Sequence, residues 1–114
     1  MNMLREMTDT RHDRIGLYPY RVGDHMLDKP DRLLVGVYCV SDSGAQTSAR
    51  YQVEARQSPD DDWSAVIHAG QSADGGSALA VIPYVPEVRL RIFGVGVGCA
   101  AHLVLAPAAS RRWG

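Results

Sequence analysis

Three aspartates in succession, Asp60, Asp61 and Asp62, stand directly before Trp63 in the stretch RQSPDDDWSAV. Clustered carboxylates can bind a cation or share proton-transfer work, so this run is the first place to look for chemistry. A calcium loop spaces its oxygen ligands over a longer span and closes on a further carboxylate. Here the chain passes straight into Trp63. A catalytic carboxylate pair needs two groups facing each other across a cleft, which three neighbours on one loop do not supply. Pro59 presets φ for a turn, and aspartate tolerates the backbone that follows. The run therefore reads as the solvated tip of a hairpin.

The other chemically suggestive residues read the same way. FGVGVG (93–98) is glycine-rich, but a strand-like run follows it instead of the helix that a phosphate-binding loop requires. His12, His25, His68 and His102 lack zinc-site spacing with Cys39 and Cys99. Both cysteines sit in apolar runs and read as reduced core thiols, although a bridge is open if their strands face each other. No nucleophile elbow is present. Arg50, Arg56, Arg89 and Arg91 fall on outward strand positions with Glu54 and Glu87 among them. Without aromatic stacking beside them, except Phe93, they suit a solvated or protein-contacting face better than nucleic acid. These readings lead to no catalytic, cofactor-binding or metal-binding residue, and to a non-enzymatic protein.

The elements that carry these residues follow from alternation. The 114-residue chain has net charge −1 and 22% charged residues, so it lacks a basic footprint for nucleic acid. Its basic residues are arginine except for Lys29, and arginine favours planar interface contacts. In SARYQVEARQ, Ala49, Tyr51, Val53 and Ala55 face one way and Arg50, Gln52, Glu54 and Arg56 the other. EVRLRIFG turns Val88, Leu90 and Ile92 inward. CAAHLVLA does so with Cys99, Ala101, Leu103 and Leu105, leaving His102 out. WSAVIH is expected to put Trp63, Ala65 and Ile67 on the core face. LLVGVYCV (33–40) and SALAVIPY (77–84) are apolar on both faces and should be central or covered strands. Turn signals separate all six runs. The fold expected is all-β: an antiparallel β-sandwich, immunoglobulin-like or jelly-roll-like, of about six to eight strands. For the immunoglobulin pattern, Cys39, Trp63 and Cys99 are in order, but Trp63 is too far past the first cysteine, and Val97 stands where the corner tyrosine belongs.

Residues 1–32 differ in texture. They hold almost half of the charged residues and all four methionines. They read as an extended N-terminal arm, ahead of a sandwich at 33–108 and a tail at 109–114. Leu4, Met7 and Arg11 fit one face of a short helix, and RIGLYPYRV (14–22) fits an extra strand that Pro19 confines to an edge. Methionine, tyrosine and arginine adapt well to partner surfaces. Met3, Leu4, Met7, Arg11, Leu17, Tyr18, Tyr20, Arg21 and Met26 are thus the expected partner-binding residues of the arm, and Trp113 that of the tail. The opening residues lack an apolar leader core, and no run approaches membrane-span length; synthesis in the cytoplasm, without membrane contact, is the expectation.

The run YQVEARQSPDDDW, followed by VPEVRLRIFGVGVG and HLVLAP, resembles small β-sandwich structural proteins of tailed bacteriophages. The shared residues are Val53, Ala55, Ser58, Asp60 and Trp63, then Pro86, Arg89, Leu90 and Arg91, over about residues 48–107. The resemblance implies a virion protein made in the host cytoplasm. It would be a capsid decoration or cement subunit, with a head–tail connector or tail and fibre part as the alternative. Its partners would be major capsid or tail subunits, with many copies or a homo-oligomer on one particle. A carbohydrate-binding sandwich using Trp63 and Tyr84 is the competing reading from the residues alone.

Overall fold

The structure is a computed structural model, and it describes residues 8–26, 29–69 and 76–108. Eight strands follow in chain order: β1 (Thr8–His12), β2 (Gly16–Arg21), β3 (Arg32–Ser41), β4 (Ala49–Arg56), β5 (Ser64–Ala69), β6 (Ala78–Pro83), β7 (Glu87–Val95) and β8 (Cys99–Pro107). They form two antiparallel four-stranded sheets. Sheet A has the order β1-β8-β3-β6 and sheet B the order β2-β7-β4-β5. The pairs β1·β8, β2·β7, β3·β6 and β4·β5 nest inside one another. The chain is therefore a single long hairpin whose tip is the turn 57–63. Rolling that hairpin up adds the β3·β8 and β4·β7 ladders, which make each sheet continuous.

Alternation sets the inner faces. Tyr51, Val53, Leu90, Ile92, Leu33, Val35, Leu103 and Leu105 are essentially sealed from solvent between the sheets. Aliphatic burial on this scale is the main force holding the two layers together. Cys39 is buried in the same layer, Cys99 is half-buried, and neither forms a disulfide. Burial pushes the Tyr51 phenol up to about 12, and its hydroxyl donates to the carbonyl of Gly76 at 2.6 Å. Gly98 takes φ 74° in the turn closed by Cys99 N–H on the Gly96 carbonyl. A positive φ suits glycine. This turn carries the chain from sheet B to sheet A, so β7 and β8 lie in different sheets.

The stretch from Thr8 to Met26 belongs to the sandwich and not to a separate arm. Arg11 lies in strand β1, paired with β8, and not on a helix. β2 closes the edge of sheet B against β7, with Pro19 opposite Arg89. An edge strand needs no donor on its open side, so proline is accommodated there. Val22 is fully buried and Met26 nearly so. The edge strand expected over 14–22 is β2, whereas the high polar content hid β1, because the seam between the sheets is itself polar. The Tyr20 hydroxyl, from sheet B, meets Thr10 Oγ1 at 2.5 Å and also hydrogen-bonds His12 Nε2, both from sheet A. Tyr18 stacks on the His12 ring at 4.0 Å, and its hydroxyl donates to the Arg14 carbonyl.

Two bulges also alter the expected pattern. One lies where Val53 pairs with Ile67 but Glu54 pairs with Ala65. Val66 is the extra residue, so the facing of β5 reverses across it. Ile67 points into the core, while Ala65 and Trp63 go to the outer face. The expected buried Trp63 is thus displaced by one inserted residue. The other bulge makes Phe93 the extra residue of β7.

Core truncation is expected to be severe: Leu90→Ala should cost about 2–5 kcal/mol in urea unfolding. The polar seam adds a pH dependence. Burial, and then the charge of His102, lower the His12 pKa from 6.5 against the opposing pull of Asp13. A folded-state pKa below the unfolded one means that the unfolded chain binds the extra proton first. This contribution is complete above about pH 6.5 and is lost as the pH falls through the lowered value. The urea midpoint should drop between pH 7.5 and pH 5, and His12→Gln should flatten that drop.

Candidate functional site

Of the residues expected to bind partners, the structure separates those that face solvent from those that hold the fold. Arg11 is on the outer face of β1, bridging Asp13 at 3.2 Å and Asp42 at 3.4 Å. Leu17 is half-exposed on the outer face of β2, and Arg21 is exposed opposite Glu87. Tyr18, Tyr20 and Met26 face or enter the core and are spent on folding, which corrects their assignment to a partner surface. Met3, Leu4, Met7 and Trp113 lie outside the described residues.

The outer face of sheet B is a connected polar network. Nδ1–H of His68 donates to Gln52 Oε1 at 2.6 Å, and the Gln52 amide donates to Glu54 Oε2 at 2.7 Å. Arg89 Nε donates to Glu54 Oε1 at 2.5 Å, so both oxygens of this carboxylate are engaged. Arg91 Nε stands 3.7 Å from Oε1, an ion-pair separation too long for a hydrogen bond. The neighbouring Arg56 Nε donates to Glu87 at 2.7 Å. The guanidinium carbons of Arg56 and Arg89 are each 4.3 Å from the centre of the Trp63 ring. Here is the aromatic partner that the arginine row lacked in the sequence; the β5 bulge delivered it. Glu54 is buried beneath these side chains although it points away from the core. Three guanidinium groups, those of Arg56, Arg89 and Arg91, thus share the two carboxylates of Glu54 and Glu87, and Arg91 Nε is buried without a hydrogen bond.

The outer face of sheet A has the opposite character. Gly36 lies at its centre, between Leu79 of β6 and Val104 of β8. A Cβ on Gly36 would meet Leu79 Cδ1 at 3.2 Å and Val104 Cβ at 3.8 Å. The missing side chain leaves a shallow apolar hollow of about 350 Å³ bounded by Tyr38, Leu79 and Val104. Leu79 is 67% exposed and Val81 47%. Both lie on β6, which is an edge of sheet A and not the central or covered strand that its composition suggested. Its six residues, ALAVIP, carry no charge. Exposed apolar edges of this kind invite pairing with another chain.

Beside the hollow, Asp9 gathers two donors. The Tyr38 hydroxyl donates to Oδ2 at 2.6 Å, and His102 Nδ1 meets Oδ1 at 2.8 Å. That bond to the carboxylate pushes the Tyr38 phenol up to about 12. The two rings stack at 4.4 Å. An aspartate on a histidine Nδ1 is half of a hydrolase relay, but here the second oxygen holds a phenol and the imidazole face is covered by it. The cluster fixes the polar border of the apolar face. Among the described residues, no group of three or more His, Cys, Asp or Glu is placed to hold a metal ion, and no helix is long and apolar enough to cross a membrane.

The doubly apolar text of β3 and β6 signalled this face, but not which of the two strands would lie at an edge. Trp63 should behave as a surface stacking group: Trp63→Ala is expected to cost about 1–2 kcal/mol in urea unfolding, from two cation–π contacts of ~0.5–1 kcal/mol each. A loss of about 3–5 kcal/mol would instead signify a fully buried ring. Comparison with protein families, with characterised proteins and with solved structures finds no significant match to this chain.

Proposed function

We propose that this protein is a non-enzymatic assembly subunit that associates with copies of itself through β6 and the outer face of sheet A. The observation that carries the reading is the uncharged edge strand β6, with Leu79 and Val81 turned to solvent. Antiparallel pairing of β6 with β6 of a second copy is self-complementary about a two-fold axis. It would join two copies of sheet A into one sheet and bring their Leu79 and Val81 side chains together.

The kind of assembly comes from two weaker supports. The hairpin of Val53, Ala55, Ser58, Asp60 and Trp63, with Pro86, Arg89, Leu90 and Arg91 downstream, is similar to small structural sandwiches of tailed phages. The strand orders 1-8-3-6 and 2-7-4-5 follow the winding of a jelly roll, a fold found in viral capsid and lectin domains and in cupins. A fold of such wide use does not choose a function by itself. Together they favour a virion subunit, of decoration or cement type, with a connector or tail part as the alternative. The carbohydrate reading loses ground because Trp63 is engaged by two arginines and the Tyr84 ring lies under Lys29 at 5.2 Å.

Light scattering on the purified chain should give a dimer or larger species at tens of micromolar. Val81→Lys, which places a charge on the edge, should yield monomers with an unchanged far-ultraviolet circular dichroism spectrum. A wild-type chain that stays monomeric across that range would overturn the reading. In purified particles, mass spectrometry should find the chain in many copies beside a major capsid or tail protein.

A further inference from the structure

The outer face of sheet B gathers more positive charge than its carboxylates answer. Arg56, Arg89 and Arg91 share Glu54 and Glu87 there. Arg21 stands on the same face, opposite Glu87 in the β2·β7 register. The whole chain has net charge −1, so the surplus is local and is created by the fold. The register also orders it. Arg89 and Arg91 lie two residues apart on one face of β7, and same-face residues of a strand repeat at about 6.7 Å.

These cations are also held in place. Glu54 is buried, with one oxygen taken by the Gln52 amide and the other by Arg89 Nε. Trp63 supports Arg56 and Arg89, each 4.3 Å from its ring centre. Arg56 meets Glu87, and Arg89 meets Glu54, through Nε, one of the five N–H donors that a guanidinium carries. Arg91 is the least committed of the three. It stands 3.7 Å from Glu54, its Nε is buried without a hydrogen bond, and 35% of its side chain is exposed. An incoming carboxylate meets cations already fixed in position, so little is lost to ordering them.

We propose that this row docks an extended acidic segment of a partner protein, whose alternate Asp or Glu side chains take Arg91 and Arg89, with Arg21 at the end of the row. An extended peptide repeats its side chains on one face at the same interval as β7. A guanidinium takes a carboxylate in a planar, two-bond fork, and complementary charge guides and selects the partner. Nucleic acid fits this face less well. Base stacking needs an open ring, whereas Trp63 already carries two arginines and Phe93 lies under Arg91 at 5.7 Å. The site is separate from the self-association through β6, which uses the other sheet.

The test is the anisotropy of a labelled short peptide of alternating glutamate and serine, titrated with the full chain. The peptide should bind at about 0.05 M salt and lose about five-fold in affinity by about 0.3 M, because exposed charges are screened. Arg91→Gln should weaken binding about five-fold and Arg21→Gln about two-fold, with unchanged far-ultraviolet circular dichroism. Arg11→Gln, on the outer face of sheet A, should leave binding unchanged. So should Val81→Lys, which keeps the outcome distinct from that of assembly through β6. The proposal is overturned if the peptide does not bind at the lower salt, or if Arg11→Gln weakens binding as much as Arg91→Gln, since attraction by overall charge then accounts for it. Tighter binding of a single-stranded oligonucleotide of equal charge overturns it too. Should Arg91→Gln lose its fold, the wild-type chain still decides: the Nε–H resonances of Arg89 and Arg91 should shift in nitrogen-15 spectra as the peptide is added, and stationary resonances overturn the proposal.

Discussion

The β3·β8 ladder is the contact on which the rest of the molecule depends. It pairs Leu33 to Ser41 with Pro107 to Cys99 without interruption. Without it, β1 would hang on β8 alone and β6 on β3 alone, as two separate hairpin arms. With it, four strands become one sheet, and Val35, Val37, Leu103 and Leu105 form one continuous inner surface. The partner ladder β4·β7 does the same for sheet B, but it carries a bulge. The regular ladder supports the flat apolar face. The bulged sheet carries the charged one, and its β5 bulge turns Trp63 from the expected core face to the outer face.

Strand alternation made much of this legible. Three runs declared their inner residues correctly, among them Ala49, Tyr51, Val53 and Ala55, and Val88, Leu90 and Ile92, because a half-buried strand writes its burial at every second position. Pro19 located an edge strand before any pairing was known. The failures have physical causes. β1 was hidden because Thr10 and His12 are satisfied by Tyr20 between the sheets, and a polar interior seam looks like surface in the sequence. Trp63 was misplaced because a bulge leaves no compositional trace. The separation of β7 and β8 into different sheets was illegible for a related reason: a glycine turn that crosses between layers uses the same residues as one that stays within a sheet.

The two outer faces divide the chemistry of the molecule between them. On sheet B, Glu54 and Glu87 gather Arg56, Arg89 and Arg91, so that side is polar and keeps an excess of guanidinium groups. On sheet A, a central glycine and short aliphatic residues leave a surface with no polar side chains at its middle. The Asp9, Tyr38 and His102 cluster marks where that surface ends. An apolar field suits a face turned to another protein.

The nesting of strand pairs also has a consequence during synthesis. β4 and β5 meet across a short turn and can form as soon as they leave the ribosome, whereas Thr8 must wait for Leu105. At about 5–20 residues per second, the first strand emerges several seconds ahead of its partner. Until then β1, β2 and β3 have no completed sheet to join. The polar character of Thr8–His12 keeps this earliest strand in water during that interval and limits its chance of pairing with the wrong neighbour.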